Sequence, residues 1–335
     1  MSSLNLTTHS DAQDADAQDD PIRRKIESLG RTLSLPTVRR AMGTLEGEHA
    51  SRQRGGSQDT LDIRAYEPGD EARLIDWKTS ARTGRPMIAE KERPSTSRVW
   101  MLLDMGVEMS GSCEDGECAL DVACNALAMF ATLSLRRSDD ISLVLGDAAN
   151  ITRIQFNGGF AQFERRLDDA TQRELDRPRN LDALLDYGRR IQDRNALIVL
   201  ATDDTALEKP QLEKIRQLAQ SHPVVVISVV TVNPFSRPKR YRRVVDARTG
   251  RYIPAFLAKQ SNAEGVENHR RFNAAQLRHE LQKSGSRMLR SSSSELMFHD
   301  FVRLVSVSLA RSSTNRIVKP YTQHASAAKV GDGAQ

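Results

Sequence analysis

Two aspartates at the ends of apolar runs have the clearest potential for chemistry. In "VWMLLDMGVEM" the run stops at Asp104 and the chain turns through Gly106 and Glu108; in "NALIVLATDD" it stops at Asp203. A carboxylate at the mouth of a buried strand can hold a hard, oxygen-seeking cation, or it can accept the backbone N–H groups of the following loop. A second set, Asp70, Arg73, Asp76 and Arg82, surrounds the Pro68–Gly69 turn of "YEPGDEARLIDWKTSARTGRP". An acid–base centre would draw on such groups. Alternating Asp and Arg around a turn more often form an ion-pair network, however, and no nucleophile motif accompanies them, so they are read as structural, with Trp77 as a packing anchor. A third set, Lys239, Arg240, Arg242 and Arg243 around Tyr241 in "SRPKRYRRVV", can contact phosphates and stack bases, dock an acidic protein, or form a solvated hairpin face.

Other chemistry has little to build on. The sequence holds no Gly-x-Ser-x-Gly, no His-Glu-x-x-His and no phosphate-binding Lys-Ser/Thr loop, and His222, His269, His279 and His299 are scattered. Any ATP-driven process would need a partner that brings the ATPase. Cys113, Cys118 and Cys124 match no zinc spacing and are too few for a disulfide framework, so they are read as reduced thiols. No catalytic residue is assigned.

The elements that must position these groups follow from the rest of the 335 residues, 39% hydrophobic and 28% charged. Residues 1–20 carry five aspartates and no Lys or Arg, which leaves +10 on the remainder of a chain whose net charge is +5. The acidic leader reads as a disordered tail, and the basic remainder as a surface that attracts acidic proteins, nucleic acid or anionic lipid. No apolar stretch approaches the ~20 residues of a membrane span. The start has neither a basic nor an apolar signal region, so a cytoplasmic location is expected. Helical spacing of Ile22, Ile26 and Leu29 predicts a helix over 21–33, with a second over 38–45. Runs at 61–66 and 73–77 flank the Pro68–Gly69 turn and alternate as a strand pair would, and "SARTGRP" leads into a further run at 87–91.

From Arg98 the texture becomes βαβ, with apolar strands, an Ala-rich helix over 117–137 and an Asn180-capped helix, which argues for a mainly parallel sheet with helices on both faces. In such a sheet Asp104 and Asp203 lie at strand carboxyl ends, where ligands bind. The repeated "ARTGR" at 81–85 and 247–251 places a glycine where each hairpin turn needs a left-handed residue. The organisation expected is an acidic tail over 1–20, a helical and β-rich module over 21–97, an α/β domain over 98–311 with an inserted hairpin at 241–256, and a flexible tail over 312–335.

The ordered string Tyr66, Pro68, Gly69, Asp70, Arg73, Ile75, Asp76, Trp77, Ala81, Arg82, followed by the strand ending at Asp104, resembles the bacterial family called domain of unknown function 58. The resemblance implies a von Willebrand factor A-like, Rossmann-like fold preceded by the small β-rich module. It also implies a cytoplasmic adaptor, not an enzyme, paired with a MoxR-type AAA+ ATPase. In von Willebrand-type domains a metal-ion-dependent adhesion site uses Asp-x-Ser-x-Ser, a threonine and a later aspartate. The corresponding positions here are Asp104, Gly106, Glu108, Asn180 and Asp203, so both serines and the threonine are replaced. Gly106 offers no oxygen, and three carboxylates around Mg²⁺ would leave the site net −1, with no pull on an acidic partner. A degenerate site is therefore expected, with no metal, Asp104 capping its loop and Glu108 solvated. The alternatives are a metal-dependent enzyme using Asp104, Glu108 and Asp203, and nucleic-acid or anionic-surface binding through 237–243.

Overall fold

The computed structural model describes residues 21–34, 37, 41–42, 62–66, 75–90, 98–155, 158–172, 175–193, 196–236 and 244–314. Its centre is a six-stranded sheet built from β3 (Arg98–Asp104), β4 (Asp140–Gly146), β5 (Ile151–Gln155), β6 (Leu197–Asp203), β7 (Val224–Val229) and β8 (Arg287–Ser291). The order across the sheet is β5-β4-β3-β6-β7-β8. The edge strand β5 runs antiparallel to β4, and every other pair is parallel.

Parallel strands joined by crossover helices are buried on both faces, which is why β3, β6 and β7 read as unbroken aliphatic runs. Alternate residues divide between two cores. Val99, Met101, Leu103, Leu197, Val199, Ala201, Val225 and Ile227 pack on one side with α1 (Pro21–Thr32), α3 (Ala119–Arg137), α4 (Phe160–Thr171) and α8 (Ser294–Thr314). Trp100, Leu102, Ile198, Leu200, Val224 and Val226 pack on the other with α5 (Leu181–Arg189), α6 (Lys209–Ser221) and α7 (Gln260–Lys283). Both faces are covered, as the βαβ pattern predicts.

The Ala-rich helix α3 is buried along most of its length. Contrary to the expectation that no apolar stretch approaches span length, it is long and apolar enough to cross a membrane, the one such helix among the described residues; it is mostly buried and forms the centre of this core. Its small side chains admit close neighbours: a methyl group at Gly30 of α1 would lie 2.6 Å from Cγ2 of Thr132. Arg23 pairs with Asp168 of α4, and Lys25 with Glu295 of α8, so α1 is tied into the larger core. Of the expected helix over 38–45, only Ala41 and Met42 are described; both are helical and buried. The helix α8 continues to Thr314, past the point where the composition points to a flexible tail. The acidic leader lies outside the described residues.

The β-rich module differs from expectation. Strand β1 (Asp62–Ala65) pairs antiparallel with β2 (Met87–Glu90); of the expected run at 73–77, Arg73 and Leu74 lie outside the described residues and Ile75 is a bridge residue. At the end of that run Asp76 instead caps a short helix, α2 (Trp77–Thr83), accepting the N–H groups of Lys78 (3.0 Å) and Thr79 (3.2 Å) and the Thr79 hydroxyl (2.7 Å). Such local side-chain bonds offer the backbone an alternative to a ladder, and here they prevail over the alternating pattern. Gly84 is left-handed (φ 69°) as expected, yet it ends α2 and does not turn a hairpin. Gly250 (φ 65°) does sit in a turn, flanked by the Val245–Tyr252 bridge.

Candidate functional site

Parallel register brings the strand-end aspartates to one rim. Leu103 of β3 lies opposite Ala201 of β6, so Asp104 and Asp203 leave the sheet side by side. Both are buried, at 1% and 2% exposure. Asp104 closes its loop as expected: one oxygen accepts the Gly106 N–H at 3.0 Å, and the other accepts the Thr202 hydroxyl at 2.8 Å. Burial pushes its carboxyl above the usual carboxylate range, although Arg179 and both hydrogen bonds favour the charged form.

Arg179, which the sequence reading did not single out, organises the rim. Its Nη1 and Nη2 donate to Oδ1 and Oδ2 of Asp203, each at 2.8 Å, a bidentate pair of the strong, directional kind. Its Nε lies 3.7 Å from Asp104 and 3.6 Å from Glu108, without a hydrogen bond of its own. Its backbone N–H donates to Oε2 of Glu108 at 2.9 Å. Glu108 is thus not a solvated side chain; it holds the arginine's backbone beside its own loop. Burial of the guanidinium works against its charge, but the hydrogen bonds and charge of Asp203, with Asp104 and Glu108, raise its pKa above the ordinary arginine value. Asp203 also accepts the Thr205 hydroxyl (2.8 Å) and the Ala206 N–H (3.0 Å).

The segment carrying Arg179 is seated by backbone contacts. Val107 donates to the Arg177 carbonyl at 2.6 Å and Ala148 to the Pro178 carbonyl at 2.9 Å. Gly106 has ordinary dihedrals (φ −68°, ψ 151°), so its role is spatial. A Cβ there would lie 2.4 Å from Cβ of Arg179 and 2.6 Å from its Cα and N. Asn180 does not share its side chain with the carboxylates; its Oδ1 caps α5 by accepting the Ala183 N–H at 3.0 Å. Among the described residues no three His, Cys, Asp or Glu side chains converge to hold a metal ion. The space between Asp104, Glu108 and Asp203 is filled by the guanidinium, and both oxygens of each buried aspartate already accept hydrogen bonds, so with Arg179 in place the site does not fit a divalent ion.

A second buried cluster adjoins the first. Asp204 accepts from Nη2 of Arg290 at 2.9 Å and lies 3.8 Å from Nη1 of Arg270, which donates to the Thr231 carbonyl. Adjacent aspartates therefore tie the end of β6 in two directions, to the Arg179 segment and to α7 and β8. Beside both clusters lies a groove of about 610 Å³, lined by Glu108, Asp203, Thr205, Phe235, Val245 and Ile253 among others.

The remaining expected residues are dispersed or undescribed. Asp76, Trp77 and Arg82 belong to the capped helix α2, and Tyr66 donates its backbone N–H to Pro86. Trp77 is 72% exposed, so it is not a packing anchor. Pro68, Gly69, Asp70, Arg73 and the basic residues Lys239, Arg240, Arg242 and Arg243 lie outside the described residues. Cys113, Cys118 and Cys124 form no disulfide, and burial raises the pKa of each thiol.

A sequence model of the family described as "Protein of unknown function DUF58" matches residues 62–260. Uncharacterized proteins of Mycobacterium tuberculosis and Mycobacterium bovis are each 25% identical over 218 residues, which span 63% of this chain and 66% of theirs. Among solved structures, an aerotolerance-related membrane protein from Bacteroides fragilis aligns over 66% of this chain and 99% of its own, at 11% identity and TM-score 0.37. A mutant of the PilB minor pilin from Streptococcus sanguinis aligns over 71% of this chain and 67% of its own, at 11% identity and TM-score 0.40.

Proposed function

Because the chain belongs to the DUF58 family, we propose that it acts as a non-enzymatic, protein-binding adaptor for a MoxR-type AAA+ ATPase in the cytoplasm. On this reading the sheet is von Willebrand factor A-like, and its strand-end rim is a degenerate adhesion site that grips protein without a metal bridge. One observation carries the reading: a groove of about 610 Å³ opens on the rim where Asp104 and Asp203 emerge, with Phe235, Val244, Val245 and Ile253 as apolar wall and Glu108, Asp203 and Thr205 at its polar end. Apolar walls with a few placed polar groups suit a bound segment better than a solvated loop does. Arg179 and Arg270 brace the floor beside it, so the surface is preorganised, which lowers the cost of binding.

The test is affinity purification of the tagged full chain from its native cell, followed by direct titration of any recovered ATPase against the purified chain. The expected result is a AAA+ ATPase that binds the wild-type chain and binds a Phe235→Asp, Val245→Asp variant weakly, with both chains equally folded by circular dichroism. Repeated absence of any AAA+ partner, or an undiminished affinity of the double variant, would refute the adaptor assignment.

A further inference from the structure

We propose that the Arg179 guanidinium is a built-in cation that takes the place of a divalent metal ion at this rim, joining the ends of β3 and β6 permanently. The inference rests on reading the rim as a degenerate adhesion site, and not on the adaptor role. Three carboxylates face one guanidinium: Asp203 at 2.8 Å through both oxygens, Glu108 at 3.6 Å and Asp104 at 3.7 Å. A cation is what such a cluster requires, because buried carboxylates are costly unless paired. Much of the acceptor capacity that would ligate a metal is already in use. Asp203 Oδ1 accepts from Arg179, the Thr205 hydroxyl and the Ala206 N–H, while Asp104 accepts from Gly106 and the Thr202 hydroxyl. A divalent ion entering the same space would meet a fixed positive charge as well.

Gly106 supports the assignment independently. It leaves room for the Arg179 backbone where a side chain would block it, since an added Cβ would fall 2.4–2.6 Å from that backbone and its Cβ. The position that cannot supply a metal-ligating hydroxyl is thus the position that admits the substitute cation. A metal ion keeps a coordination place for an outside ligand. A guanidinium locked on Asp203 through two parallel bonds does not, so this rim holds its shape without an ion and is insensitive to chelators.

The experiment uses the purified full chain alone, so its outcome is separate from that of the partner search. Thermal unfolding and calorimetric titration with Mn²⁺ are measured for wild type, Arg179→Ala, Arg179→Ala with Asp203→Asn, and Arg179→Lys. Wild type should show no heat of Mn²⁺ binding and the same midpoint in Mn²⁺ or EDTA. Arg179→Ala should unfold roughly 10 °C lower, the scale expected for a broken buried ion pair in a domain of this size. Mn²⁺ should then bind with one ion per chain and restore part of the loss, and Asp203→Asn should abolish that rescue. Arg179→Lys, which keeps a cation and remains informative if the alanine variant does not fold, should ignore Mn²⁺. The proposal is overturned by stoichiometric Mn²⁺ binding to wild type or to Arg179→Lys, by an Arg179→Ala chain as stable as wild type, or by one that is destabilised yet takes up no Mn²⁺.

Discussion

Adding one methyl group at residue 106 should pull the rim apart. In Gly106→Ala the new Cβ would stand 2.4 Å from Arg179 Cβ and 2.6 Å from its Cα and N. Ordinary carbon contacts begin near 3.5 Å, so the two segments must separate by roughly 1 Å. Two of the three atoms are backbone, and no rotamer change relieves them. The segment is also pinned by the Val107–Arg177 and Arg179–Glu108 bonds, so separation strains those bonds and the bidentate pair on Asp203. Overpacking alone costs about 1–3 kcal/mol. With the rim bonds weakened as well, a loss of about 2–4 kcal/mol is expected, seen as a midpoint lowered by roughly 5–15 °C. Gly159→Ala is the control: a Cβ there meets nothing within 4 Å, so its stability should change by less than about 1 kcal/mol. Urea and thermal unfolding of both variants decide the matter. If Gly106→Ala is as stable as Gly159→Ala, the close seating of Arg179 on this loop is wrong.

Asp203→Asn should cost about 3–5 kcal/mol in urea unfolding, because it leaves a largely buried guanidinium without its bidentate partner; Glu108→Gln should cost clearly less, since its side chain is 23% exposed and still accepts the Arg179 N–H. Trp77→Ala should change stability by no more than about 0.5 kcal/mol, as befits a ring 72% exposed, and a larger loss would restore the packing role. Burial, with Asp115 and Glu117 nearby, raises the Cys113 thiol from 9.0 to about 12. The unfolded chain then ionises first, so the stability this thiol contributes is present below pH 9.0 and falls away toward pH 12. Comparing wild type with Cys113→Ala in neutral and alkaline urea melts should show the gap narrowing with pH; parallel curves would contradict the assignment.

The sheet was legible because burial on both faces demands what the eye can find, unbroken aliphatic runs separated by helical periods. The same logic put Asp104 and Asp203 on one rim, since parallel strands end together. The clasp between them was not legible. Arg179 sits in "DRPRN", a polar stretch in which nothing in periodicity or composition separates it from Arg177. Its role comes from the closure of that segment over Gly106, a tertiary event. The one usable signal was its place just before Asn180, the residue matched to the missing threonine. Glu108 is illegible for the same reason: without the arginine's N–H in view, a charged residue in a turn reads as solvated. At Asp76 the alternation of neighbouring residues favoured a strand, whereas three local hydrogen bonds to its side chain made a helix start.

The character of the rim depends on which cation occupies the space among Asp104, Glu108 and Asp203. A crystal structure grown in Mn²⁺, with an anomalous difference map, addresses this directly. The predicted result is guanidinium density bridging Asp203, with no manganese peak at the rim. A manganese peak there, with Arg179 swung away from Asp203, would contradict it.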